Sequence, residues 1–431
     1  AGGGKLFHPD ACEAYAGFNH TNGDDPRAWS YEWPYGVEAN VTQEQWGTIP
    51  GPHDAVFNKT MGLSFMESPL ADEETTDGMI AANAVERLAN FSQAGIGKRG
   101  ANKPFFLSTG FHKPHLPHIA PKKYFDLYDV KNVSLAPNRF VPVGFKEENF
   151  HADGTSELKS YNMNAAPAFA RDGQDFETPL DAAFSRAQRR GYFAAVSFVD
   201  AQIGTVLSAL ETHGYKDNTI VCLWGDHGWH LGDTNSWGKM TNFESGVRNA
   251  MMWRVPGQAE VSKGLNDRFV ESIDIFPTII DLTGTPPLPK CDGIDQPATT
   301  ACLQGESYAH EFLPRLPATM VGGASAVSPP PRPKQHAFSQ WPFPKWGNET
   351  GLREGYTVRS SKGFRYTQYV PYNKSTYCGD WDAALHDDEE LYDYNTDPWE
   401  TTNFASNASY SAVVAELRAV LRAQYVGGDA I

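Results

Sequence analysis

Residues 218–243 read NTIVCLWGDHGWHLGDTNSWGKMTNF. The stretch opens with an apolar, β-branched run from Thr219 to Trp224, whose length and composition predict a strand buried on both faces. The run stops at Gly225-Asp226-His227-Gly228. An Asp and a His between two glycines, at the end of a buried strand, form a compact ligand pair. Glycine lets the backbone turn sharply and come close to whatever is bound. In open α/β sheets, ligands sit beyond the carboxyl ends of the strands. Asp226 offers a hard oxygen and His227 a nitrogen, a donor set for a divalent cation. Lys239 follows and reaches an anion held on that cation. The plain alternative is a loop whose Asp caps a helix and whose His is merely exposed.

The flanking sequence extends this unit. From about Asp181 to His213 a helix is expected, with Tyr192, Val196, Val199, Ile203, Val206 and Leu210 on one face and Gly214 as its stop. It feeds the Thr219–Trp224 strand, giving an αβ unit of a doubly wound sheet. An earlier helix is capped by Thr76 or Asp77 and runs to about Gln93. Lys103–Gly110 reads as a buried strand leading into Phe111-His112-Lys113-Pro114-His115-Leu116-Pro117. His112 therefore stands where Asp226 does, at a strand's carboxyl end, with Lys113, His115 and His118 beside it. Ala250–Gly257 reads as another strand and its turn. Short strands are expected at 355–359, 364–370 and 390–394, and a final helix at 411–425. The fold class is α/β, a mixed sheet flanked by helices, plus a smaller C-terminal α+β domain with a short antiparallel sheet. The expected divisions are a main domain over 1–313, a Pro-rich connection over 314–346 and a C-terminal subdomain over 347–431.

The net charge of −16 argues against non-specific nucleic-acid binding, though a local basic pocket can still take a polyanion. No run of about 18 apolar residues is evident, so no membrane span is expected. Eight Asn-x-Ser/Thr sites, at Asn19, Asn40, Asn58, Asn90, Asn132, Asn348, Asn373 and Asn407, suggest a secretory-pathway glycoprotein, extracellular or lysosomal/vacuolar. Of five cysteines, Cys291 and Cys302 bracket a short loop and are expected to form a disulfide. Cys222 reads as a free core thiol, and Cys12 and Cys378 pair with each other or with cysteines elsewhere.

Gly225-Asp226-His227-Gly228-Trp229, with Leu231-Gly232 and Trp237-Gly238-Lys239, resembles the second metal-binding segment of the sulfatases, in the alkaline-phosphatase-like superfamily. Within that family the likeness is greatest to the iduronate-2-sulfatase-like enzymes. Gly4-Lys5-Leu6-Phe7-His8-Pro9 resembles the segment that brings a Lys and a His to the sulfate pocket, and the His112 loop resembles the one whose first His contacts the sulfate. Ser272–Leu282 is similar to a sulfatase helix, and Leu391–Glu400 to the family's closing strand with its Asp-Pro-x-Glu turn. The resemblance implies that Asp226 and His227 bind Ca²⁺, that Lys5, His112 and Lys239 bind sulfate, and that His8 orients or deprotonates a formylglycine hydrate.

A sulfatase also needs an aspartate pair and a Cys or Ser in Cys/Ser-x-Pro-x-Arg. Asp24-Asp25 lies in a turn sequence in the wrong place, and Ser328-Pro329-Pro330-Pro331-Arg332 is a proline linker that cannot start a helix. The chain is therefore expected to resemble a sulfatase whose N-terminal segment lies outside it or on a separate chain. Two further readings stand beside a hydrolase of a sulfated glycan or uronate. One is a catalytically inactive secreted glycoprotein with a structural or binding role. The other is a phosphate-ester hydrolase, which would use more carboxylate and His ligands.

Overall fold

The computed structural model describes residues 2–4, 64–98, 100, 103–146, 149, 158, 178–257, 264–291, 302–312, 333–343, 353–373, 378–383 and 388–426. The chain divides into two compact units, the first holding residues 1–135, 157–174 and 180–219, the second residues 136–156, 175–179 and 220–431. Both are mixed α/β.

In the first unit, β1 (Gly2–Gly4), β2 (Phe65–Ser68), α1 (Thr76–Gln93), β3 (Ser108–Gly110), β4 (His118–Pro121), α2 (Lys122–Phe125) and α3 (Ala182–Thr212) follow in order. β1 pairs in parallel with β3, and β2 in parallel with β4. The strand expected over 103–110 is confined to its last three residues. Thr75, rather than Thr76 or Asp77, caps α1, its hydroxyl accepting the Gly78 N–H at 3.1 Å. Ile80, Ala84, Leu88 and Phe91 are buried, as their spacing predicts.

Asp181 caps α3 by accepting the N–H groups of Ala183 and Phe184, both at 2.9 Å. The buried face of α3 includes Val199 and Leu210 of the expected stripe but is centred elsewhere. It runs through Gln188, Gly191, Ala194, Ala195, Phe198 and Gln202, while Val196 is exposed. The physical reason is close approach: small residues let α3 lie directly on β2 and β4, where a Cβ on Gly191 would stand 2.5 Å from that of Phe65. Phe198 packs there with Ala120, Tyr124 and Phe125. By length and composition α3 is one helix that could cross a membrane, a test that a buried core helix also passes. Here its buried face forms the core of this unit.

The second unit contains β5 (Val221–Trp224), β6 (His230–Leu231), β7 (Trp237–Gly238), α4 (Glu244–Val247), β8 (Met251–Arg254) and α5 (Ile275–Thr283). Then come β9 (His336–Phe343), β10 (Arg353–Ser360), β11 (Phe364–Asn373), β12 (Cys378–Gly379), β13 (Glu389–Asp393) and α6 (Ser411–Val426). β5 pairs antiparallel with β8, and that is its one partner among the described residues. Its residues are accordingly half-buried, and Trp224 is 44% exposed, where a strand buried on both faces was expected. Cys222 is a free, half-buried thiol whose pKa burial pushes up to about 12. Cys291 and Cys302 are bonded. Cys12 and the side chain of Cys378 lie outside the described residues.

The C-terminal sheet is antiparallel, ordered β12-β11-β10-β9 with β13 on β11. β9 falls inside the stretch read as a Pro-rich connection and pairs along its length with β10. Tyr356, Val358, Tyr366, Val370 and Leu391 face Val414, Leu417 and Leu421 of α6 in an apolar core. That one-sided arrangement follows from the period-two alternation of the strands.

Candidate active site

The candidates fall in both units. In the first, β1 ends at Gly4 in register with Gly110 of β3, so the chain leaves the two strands side by side. Lys5 and His8, which follow Gly4, lie outside the described residues, as do Asp24, Asp25 and Ser328. His112 follows Gly110 by two residues and is half-buried.

What fixes His112 is a carboxylate. Asp77, 2% exposed in the first turn of α1, accepts the backbone N–H of His112 at 2.8 Å and that of Lys113 at 2.9 Å. The positive end of the helix favours a negative charge there. Lys113 turns its ammonium onto the Pro117 carbonyl at 2.8 Å, so it holds the loop in shape. His115 does the same through Nδ1–H, which donates to the Leu116 carbonyl at 2.7 Å. His118 is wholly buried with its ring edge against Tyr192, and burial, then the charge of Lys113, pushes its pKa down to about 3. It is a neutral core residue.

In the second unit the Gly225–Gly228 loop leaves β5 and is fastened by its backbone. The Gly225 N–H donates to the Ala250 carbonyl at 3.0 Å, and the Gly225 carbonyl accepts from the Asn249 amide at 2.6 Å. The Gly228 N–H donates to the Gly246 carbonyl of α4 at 2.9 Å. A Cβ on Gly228 would stand 2.2 Å from the Ser245 carbonyl oxygen and 2.7 Å from that of Arg248. Only glycine fits so close to another backbone.

The side chains between the glycines stay accessible, Asp226 at 74% and His227 at 32% exposed. Nδ1 of His227 lies 2.8 Å from the Gly228 carbonyl. A carbonyl only accepts, so in the neutral ring the proton is on Nδ1 and the Nε2 lone pair is free. Nε2 then faces Asp226 Oδ2 at 3.6 Å, one acceptor looking at another. Such a pair is stabilised by a proton or a cation between them. Two donors each about 2.4 Å from Ca²⁺ and at right angles would lie about 3.4 Å apart. The pair therefore fits a divalent cation. Among the described residues, no cluster of three or more His, Cys, Asp or Glu completes a ligand set.

Lys239 reaches this place through a hairpin. β6 and β7 pair antiparallel with His230 opposite Gly238, so the next step outward sets Trp229 opposite Lys239. The ammonium lies 5.6 Å from the Trp229 ring centroid, and that ring lies 6.4 Å from the His227 ring. Cation–π attraction holds the lysine on the side of the metal pair. Below the hairpin His230 is wholly buried, with Nε2 2.7 Å from the Thr241 hydroxyl, and burial pushes its pKa down to about 4. Asp226 and His227 thus face one another, and Trp229 stands between the His227 ring and Lys239. Asp77 and Trp229 are additions. Asp77 reads in sequence as a helix cap, and Trp229 as one more aromatic after the loop.

A family model described as Sulfatase matches residues 29–285. Human iduronate 2-sulfatase is 26% identical over 449 residues, covering 94% of this chain and 74% of that protein. Choline-sulfatase of Rhizobium meliloti (strain 1021) is 26% identical over 310 residues, covering 71% and 47%. Among solved structures, a phosphonate monoester hydrolase from Silicibacter pomeroyi aligns with a TM-score of 0.61 at 17% identity, covering 94% of this chain and 76% of that one. A 2-O GAG sulfatase aligns with a TM-score of 0.52 at 20% identity, covering 84% and 66%. At these identities the structural likeness is one of fold.

Proposed function

This chain belongs to the sulfatase family, and we propose that it hydrolyses sulfate esters of a glycan, with a sulfated uronate of the iduronate-2-sulfatase type as substrate. The observation that carries this reading is the pair of facing acceptors, Asp226 Oδ2 and His227 Nε2, 3.6 Å apart and accessible beside a lysine. Asp226 and His227 would hold a divalent cation, and Ca²⁺ suits the hard oxygen donor. Such an ion, when bound, draws charge from the oxygens of a sulfate ester as a Lewis acid. Lys239, held against Trp229, supplies a positive charge to the same oxygens. The resemblance gives His112, Lys5 and His8 to the same anion, and within its own unit His112 is fixed through its backbone by Asp77. Charges positioned beforehand need no reorganisation as the sulfur–oxygen bond breaks.

Among the described residues no Cys or Ser stands in a Cys/Ser-x-Pro-x-Arg sequence, so none of them fits the formylglycine that the sulfatase family typically uses. A second reading is a glycoprotein with a structural role or one that binds sulfated glycan without cleaving it. Either way the secretory pathway is its proposed place. Asn90, Asn132, Asn373 and Asn407 are exposed and the Cys291–Cys302 disulfide is formed, which supports it.

The test is sulfate release, by ion chromatography, from a 2-O-sulfated uronate disaccharide with Ca²⁺ or with EDTA, beside choline sulfate and a phosphate monoester. Release that needs the metal and falls in Lys239→Ala and His112→Ala supports the hydrolase. Calorimetric binding of the disaccharide without release supports the glycan binder. Faster cleavage of the phosphate ester overturns both.

A further inference from the structure

The Asp397-Pro398-Trp399-Glu400 turn lies far along the chain from every candidate donor, yet Glu400 adopts φ 54°, a left-handed conformation that costs a non-glycine residue energy. It is buried, and its carboxylate is fully used. It accepts the backbone N–H of Glu244, the first residue of α4, at 3.1 Å, and the Tyr394 hydroxyl at 2.6 Å. It also pairs with Nε of Arg365 at 2.9 Å.

Arg365, in β11, is 1% exposed and spends the rest of its fork on the same segment. One terminal nitrogen donates to the Glu244 carboxylate and the other to the Asn242 carbonyl. Arg359 stacks 3.9 Å from the Tyr394 ring centroid, with Nε 3.5 Å from Glu244. Two carboxylates thus face two guanidinium groups. Removing one member leaves a buried charge uncompensated.

The span this cluster holds, residues 239–246, is the seat of the candidate site. Asn242 is fastened a second time, donating to the Gly355 carbonyl of β10 at 2.9 Å. Lys239 lies three residues before it. Thr241 holds the His230 ring beneath the hairpin. Gly246, two residues after Glu244, supplies the carbonyl on which the Gly228 N–H lands. The backbone that the loop's donors rest on is gripped from β10, β11 and the Glu400 turn.

We propose that Arg365 and Glu400, bridged by Tyr394, are positioning residues for the Asp226–His227 pair and Lys239. The C-terminal sheet sets the height of α4, and α4 sets the height of the metal loop. The metal half of this inference rests on the assignment of Asp226 and His227 as cation donors. The backbone half stands apart from it.

The experiment uses the full chain in three variants: Glu400→Gln, Arg365→Lys and, as control, Arg418→Lys. Arg418 pairs with Glu389 of the same sheet through two 2.6 Å contacts, away from α4. Two quantities are read. One is Tb³⁺ luminescence sensitised through tryptophan, with Trp229 beside the pair. The other is hydrogen–deuterium exchange of the Gly228 amide. Glu400→Gln and Arg365→Lys are expected to weaken Tb³⁺ binding about ten- to hundredfold, the scale for residues that orient metal ligands. Both should also lose protection at Gly228, while Arg418→Lys changes neither, even where its thermal midpoint falls as far. Unchanged Gly228 protection in both test variants, or equal loss in Arg418→Lys, overturns the proposal. If Arg365→Lys does not fold, the near-isosteric Glu400→Gln decides. If the unaltered protein binds no Tb³⁺, the metal assignment fails, and Gly228 exchange still decides the positioning.

Discussion

Two loops carry the candidate chemistry, and they are held in opposite ways. The loop of His112 hangs from a buried side chain: one carboxylate, Asp77, grips two successive backbone N–H groups. The loop of Asp226 and His227 is fastened through its backbone, to two carbonyl groups and to the Asn249 side chain, with both functional side chains left accessible. The first arrangement commits a charge to structure and fixes the direction of one histidine. The second keeps its charge for a ligand, and glycine at 228 makes that possible by letting two backbones meet. A site that needs an unspent carboxylate cannot also use it as an anchor.

The contrast breaks most sharply at Gly228. Gly228→Ala puts a methyl group against the carbonyl oxygens of Ser245 in α4 and of Arg248 just after it. The expected cost is about 3 kcal/mol, measured by urea unfolding. The loop should lose its cation at the same time, whereas an alanine that leaves stability unchanged would show that the backbone seat is not needed.

Asp77→Ala attacks the other loop. It strands two N–H donors and is expected to cost about 2 kcal/mol. Asp77→Asn keeps one acceptor and should cost about half as much. If thermal unfolding separates neither variant from the unaltered protein, the carboxylate grip is not what holds His112.

Acid sharpens the same comparison. His118, which closes the first loop, has its pKa pushed from 6.5 down to about 3, chiefly by burial. A base whose folded pKa is depressed contributes stability that is complete above pH 6.5 and is lost as pH falls from there toward about 3. The expected slope is about 1 kcal/mol per pH unit in that window. His118→Phe, which cannot be protonated, should flatten it, and an unaltered slope would mean that the acid sensitivity arises elsewhere.

The sequence marks both loops and says little about what holds them. The ends of α3 were legible because their signals are local: its start near Asp181 and the Gly214 stop lie within a turn of the helix. The placing of Lys239 opposite Trp229 follows from a short hairpin. The buried face of α3 was legible in part, since Val199 and Leu210 of the expected stripe are buried and Val196 is exposed. The valines form the longer apolar stripe, yet the glycine and alanines are what let the helix approach the strands. The half-buried state of β5 depends on how many neighbours it has, which its own composition does not carry. Asp77 looked like a cap because its real partners are 35 and 36 residues away. Arg365 and Glu244 lie 121 residues apart and each, read alone, is an ordinary charged residue.

Asp226→Ala is the smallest change by stability and the most informative by function. Its side chain is exposed, so unfolding should shift by no more than about 0.5 kcal/mol. Calorimetric titration of Ca²⁺ into the full chain and into Asp226→Ala therefore tests the assignment of the cation without a folding effect. The expected result is binding of a single ion by the unaltered protein, weakened at least about tenfold in the variant. Equal affinity in the two proteins would contradict it and move the metal, and the sulfate chemistry built around it, away from this loop.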